Sequence, residues 1–174
     1  MRKIKNEELG RLTVEEFKKT DKRPIVVVAD NVRSLNNIGS IFRTCDAFAV
    51  DKFHLCGITA TPPNKEIHKT AIGAELSVDW QYWENTKEAV TNLKSEGYTI
   101  ISIEQIENSV MLDDFVVDKS KKYALILGHE VMGVSQEIAD MSDLAIEIPQ
   151  YGTKHSLNVS VATGVVLWYI SKQY

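Results

Sequence analysis

The chain has 174 residues, 44% hydrophobic and 25% charged, with a formal net charge of -4 at pH 7. That length suits one domain whose core needs neither metal nor disulfide, and the composition is that of a globular protein, not of a disordered tail or a membrane protein. A negative total excludes bulk electrostatic coating of nucleic acid, which needs clustered Lys and Arg to displace counterions.

The first 23 residues are rich in Lys, Glu and Thr, with a weak helical spacing at Leu9, Leu12 and Phe17, and are read as an N-terminal extension to a domain spanning residues 24–174. The opening residues lack the apolar core of a signal peptide, and no apolar run reaches the ~18 residues of a membrane span, so a cytosolic protein is expected. From Pro24 on, short apolar runs alternate with helical stretches. Strands are predicted at residues 25–29, 52–56, 98–103, 123–127 and 144–148, and helices at 35–48, 84–95, 134–141 and 156–171. Runs such as IVVVA and YALILG are too continuously apolar for a one-sided sheet, so the class is α/β, a parallel sheet covered on both faces. Cys45 and Cys56 lie in apolar stretches and are expected as free buried thiols rather than a disulfide or zinc site.

Three segments carry polar residues at strand ends, where α/β sheets bind ligands. In ADNVRSLNNIGSIFRTCDAF, residues 29–48, the helix buries Leu35, Ile38, Phe42 and Cys45, while Asn36, Ser40 and Arg43 share another face, with Asn37 about 100° from Asn36. Capping asparagines and a solvated arginine explain this segment equally well. In YALILGHEVMGVSQEI a buried strand runs into Gly128, His129 and Glu130, with Gly133 closing a turn; neither a dinucleotide fingerprint nor a P-loop is present. Glu130 reads as a general base, an acceptor for a ligand amine or, without context, a solvated carboxylate. In LAIEIPQYGTKHSLNVSVATGVVLWYI, Ser156 stands at the position of an N-cap. The following helix carries the stripe Leu157, Val161, Val165 and Trp168 but is apolar nearly all round, which predicts cover by a second subunit and hence a homodimer. Asn158, set into that apolar surface, needs a partner and reads as a structural amide or a site residue at the subunit seam.

In this order, the three segments resemble the signature motifs of the SpoU/TrmH branch of the SPOUT RNA methyltransferases over residues 24–171. Asn37 and Arg43 fall on the first motif, Gly128, Glu130 and Gly133 on the second, and the IPQYG…SLNVSVATG run on the third. The resemblance implies a deep trefoil knot, a homodimer and S-adenosylmethionine held in a bent shape by the knotted loops. It places cofactor contacts on Leu127, Gly128, Ile148, Gln150 and Leu157, and makes Arg43 the catalytic arginine. Asn37 and Glu130 then support Arg43 and orient the ribose, while Ser156 and Asn158 lie near the methyl-transfer centre. A ribose 2′-hydroxyl acceptor makes RNA the substrate, and the absence of a large RNA-binding domain ahead of residue 24 favours tRNA over rRNA.

The chain departs from the family pattern where Ala47-Phe48-Ala49-Val50 lacks a glycine, where Gln150 replaces a frequent methionine, and where His129 fills a position often Asn or Ser. The alternative is a non-catalytic RNA-binding protein retaining the fold, against which stands the joint presence of Asn37, Arg43, Glu130, Ser156 and Asn158. Net charge leaves RNA binding to a local patch that folding must gather from Arg33, Arg43, Lys65, Lys69 and Lys154.

Overall fold

Continuously apolar strands bury both faces, and the computed structural model, which describes residues 1–174, shows them doing so. Strands β1 (Arg23–Asp30), β2 (Val50–Cys56), β3 (Trp80–Trp83), β4 (Tyr98–Ile103), β5 (Val110–Met111), β6 (Lys122–Leu127) and β7 (Leu144–Glu147) form one sheet in the order β3-β2-β1-β6-β4-β7-β5. Every neighbouring pair is parallel. The α/β class and the parallel sheet are as the periodicity predicted.

Seven helices accompany the sheet: α1 (Val14–Lys19), α2 (Leu35–Ala47), α3 (Lys65–Ala71), α4 (Ala74–Ser77), α5 (Thr86–Ser95), α6 (Gln136–Met141) and α7 (Val159–Ser171). Alternation along β1 divides the core: Ile25, Val27 and Ala29 join Ile38, Phe42, Val166 and Leu167 of α2 and α7 on one face. Val26 and Val28 join Val90, Leu93 and Ile138 of α5 and α6 on the other. Burying ten or more such side chains, at ~1.5–3 kcal/mol each, is the main force holding the layers together. Cys45 and Cys56 are free and buried on opposite faces; burial pushes the Cys45 thiol far up and the Cys56 thiol up to about 12, so both stay protonated.

Two expectations about local structure are corrected. The last helix begins at Val159, not Ser156, and its N-cap is Asn158, whose Oδ1 accepts from the Ser160 amide at 2.9 Å. Residues 150–158 stay irregular because Gln105 donates to the His155 carbonyl at 2.7 Å and Asn158 is tied to another helix, which leaves Ser156 exposed and outside the cap. At the N-terminus a 3-10 turn over Asn6–Leu9 precedes α1, which is capped by Thr13, and Leu9 and Leu12 stay exposed, so the spacing of those two leucines marks no buried stripe. Helices α3 and α4 and strands β3 and β5 carried no sequence signal long enough to read; β3 pairs with β2 only, and β5 is two residues long.

All strands being parallel, the C-terminal ends of β1, β6, β4 and β7 lie side by side along one edge of the molecule. The polar segments that follow them are thereby brought together.

Candidate active site

Between the loops that leave β4, β6 and β7 lies a cleft of about 680 Å³. Leu127, Gly128, Ile148, Gln150 and Leu157 all line it, as do Glu130, Ser156 and Asn158. Its ionisable side chains are Glu104, His129, Glu130, Glu147 and His155, with no lysine or arginine among the lining residues.

The loop after β6 is shaped by backbone and carboxylates. His129 and Gly133 exchange backbone hydrogen bonds at 3.1 and 2.8 Å, closing a tight turn with Gly133 at φ +67°. A Cβ on Gly128 would overlap the backbone of Gly133 and Val134, so the turn folds back against a position only glycine fits. Two successive amides leaving the turn each find a carboxylate: Val134 donates to Glu104 Oε2 at 3.0 Å and Ser135 to Asp30 Oδ2 at 3.2 Å. Asp30 is buried and also accepts from the Thr86 hydroxyl at 2.5 Å and from Asn31 Nδ2 at 2.8 Å, so it locks the loop to β1 and to the start of α5.

Glu130, at the tip of this turn, reaches the N-terminus of α2. Its oxygens accept from the amides of Arg33 at 3.0 Å and Ser34 at 2.8 Å and from Asn37 Nδ2 at 3.1 Å. Burial pushes its carboxyl up, but the amides of Arg33, Ser34 and Glu130 itself, with the Asn37 side chain, outweigh that and hold it below the usual range. An ionised carboxylate with its lone pairs engaged is a poor proton acceptor at neutral pH, so the geometry disfavours the general-base reading and the solvated-loop reading alike.

Asn37 is the hub. While its Nδ2 donates to Glu130, its Oδ1 accepts from Asn158 Nδ2 at 3.1 Å. One residue from each of the three polar segments thus joins a single chain, Asn158 to Asn37 to Glu130, on the rim of the cleft. Asn158 is both a capping amide and a bridge, which fills the need for a partner noted in the sequence. Arg43, two turns along α2, is exposed and does not line the cleft. Arg33, Lys65, Lys69 and Lys154 are likewise exposed and outside it, and Lys69 is paired with Glu66 at 2.7 Å.

Asp30 and Glu104 were not singled out from the sequence. A signal was present: each is a lone carboxylate ending an apolar strand, IVVVAD and TIISIE, where its charge needs a specific partner.

The sequence and the overall fold agree with known proteins. Residues 24–168 match the model of the SpoU rRNA Methylase family. The chain is 35% identical over 154 residues to the tRNA (guanosine(18)-2′-O)-methyltransferase of Aquifex aeolicus, covering 87% of this chain and 70% of that protein. The crystal structure of the A. aeolicus TrmH/SpoU tRNA modifying enzyme superposes with a TM-score of 0.80 at 32% identity, over 92% of this chain and 80% of that one. An AdoMet-bound rRNA methyltransferase from Sinorhizobium meliloti gives a TM-score of 0.78 at 28% identity, over 88% of this chain and 58% of that one. With the family model spanning most of its length, second- and third-motif residues lining one cleft and Asn37 bonded to two of them, the chain belongs to the SpoU/TrmH family of 2′-O-ribose RNA methyltransferases.

Proposed function

We propose that the chain transfers the methyl group of S-adenosylmethionine to a ribose 2′-hydroxyl of a tRNA, acting in the cytosol as a homodimer. The bonded chain from Asn158 through Asn37 to Glu130 carries this reading, because it ties an acceptor-side residue, a helix bearing the arginine and a cleft loop into one rigid unit.

The cleft suits the cofactor. Its volume is within the ~300–1,000 Å³ usual for small-molecule sites. Apolar and polar lining residues are evenly matched, as an adenine and an amino-acid tail require, and the carboxylates Glu104, Glu130 and Glu147 favour a ligand carrying sulfonium and ammonium charges. Leu127, Gly128, Ile148, Gln150 and Leu157 would hold it. When bound, the cofactor supplies an electrophilic methyl group on sulfur. Ser156 and Asn158 shape the side from which the ribose oxygen approaches in line. Arg43 grips the phosphate next to that ribose, a duty that suits a guanidinium with pKa above ~12 better than proton abstraction does. Asn37 and Glu130 hold the N-terminus of α2, the helix that carries Arg43.

Residues of the loop 128–135 and the segment 148–158 line the same cleft, which supports the deep trefoil knot that the family resemblance implies, with residues 1–23 as an extension and 24–174 as the methyltransferase domain. The dimer is supported by the stripe on α7: Val161, Val165 and Trp168 remain 52%, 36% and 56% exposed, with Leu157 just ahead of the helix at 40%, although the rest of the helix is packed. Arg43 standing outside its own cleft supports a site completed by the second copy. Because the A. aeolicus relative is named for tRNA, tRNA is preferred over rRNA.

Calorimetric titration with S-adenosylmethionine and S-adenosylhomocysteine, with NADH and ATP as controls, tests the cofactor. Selective binding of the first two is expected, and a 2′-O-methylated nucleoside should vanish from the tRNA of cells lacking the protein. A folded protein that binds neither would instead be an RNA-binding protein without methyl transfer.

A further inference from the structure

The His129 ring, in the loop after β6, has a defined task. Nδ1 accepts from the amides of Val131 at 3.0 Å and Met132 at 3.2 Å. Two converging N–H donors require a lone pair, so Nδ1 carries no proton and the neutral ring keeps its proton on Nε2. The turn so capped is the one closed by the His129–Gly133 backbone pair, and it contains Glu130 and packs on Gly128. Both the cleft floor and the Glu130 bridge to α2 therefore depend on it.

We propose that His129 is a positioning residue whose Nδ1 lone pair holds the cofactor loop in its binding shape and whose protonation releases it. This inference rests on the cofactor reading above. A proton on Nδ1 would turn the acceptor into a donor facing two donors, which breaks the cap outright. Imidazole changes charge within about pH 5–8, whereas Asn and Ser in the same place do not titrate there. The charged and titratable groups of the surrounding cleft are Glu104 at the end of β4, Glu147 of β7, His155 in the 148–158 segment and Glu130 in the turn itself, while α6 presents only Gln136 and Ala139.

The test uses H129N, whose Oδ1 occupies the place of Nδ1 without titrating, and H129A, which removes the acceptor. Calorimetric titration of the full chain with S-adenosylhomocysteine at about pH 8 and about pH 5.5 is paired with NMR protection factors for the Val131 and Met132 amides. At pH 8 H129A should bind roughly fivefold more weakly, the loss of about one net hydrogen bond, and H129N should restore most of that affinity. On acidification the wild type should lose affinity and both amides their protection, whereas H129N should keep them. An equal acid loss in H129N, or wild-type affinity in H129A, would overturn the proposal. If the folded wild type binds nothing at pH 8, the cofactor reading fails by itself, and the amide protection of wild type against H129N still decides the cap.

Discussion

At the scale of single residues, burial and partners separate roles that residue type leaves open. Glu130 is a loop carboxylate in the sequence; three donors make it an anchor for α2. Arg43 is the opposite case, exposed and unengaged, so its removal should leave the structure intact. Arg43→Ala is expected to lower methyl transfer by roughly 10²-fold or more while S-adenosylhomocysteine binding persists in calorimetry; equal loss of both would make the residue structural. His54, 2% exposed with neither ring nitrogen bonded, shows what burial alone does. Burial pushes its pKa down to about 4, Lys52 adds to the fall and Glu96 opposes it. Between the ordinary histidine value of ~6.5 and that folded value the unfolded chain binds the extra proton. The stability is therefore full above ~6.5 and declines as pH falls toward 4, by on the order of 3 kcal/mol. Denaturant unfolding followed across this range should show that slope in the wild type and its loss in His54→Leu.

At the scale of elements, helix ends decide the geometry. The amphipathic patterns located α2 and α5 to within two residues, because a buried stripe is written directly in the spacing of apolar side chains. The start of α7 was not legible: Ser156 and Asn158 are both good N-cap types, and only the bond from Asn158 to Asn37, 121 positions away, selects the second. Asn158→Ala should thus cost about 1 kcal/mol through the cap, read as a lower denaturation midpoint, and should also reduce methyl transfer. Asn158→Asp, which caps equally well but cannot donate to Asn37, should recover the stability without recovering the activity. Recovery of both would sink the bridge as a functional element. Short elements such as β3 and β5 escaped reading because a strand of two to four residues has no period to detect.

At the scale of the whole molecule, α7 is packed against α2 on one side and open on the other. A charge in the open stripe, as in Val161→Glu, should leave an intact monomer visible by sedimentation, with methyl transfer lost together with the dimer. A wild-type monomer in the same experiment would remove the basis for a shared site. The amino-acid sequence by itself determined the α/β class, the doubly covered parallel sheet and the three polar segments, since periodicity and strand-end chemistry are local properties of the chain. Only the tertiary structure decided that the second and third segments line one cleft, that Asn37 of the first bridges Glu130 and Asn158, and that Asp30 and Glu104 clamp the loop. Those bonds join residues from about 30 to more than 100 positions apart, and a hydrogen bond between distant residues depends on strand order, which no local pattern encodes.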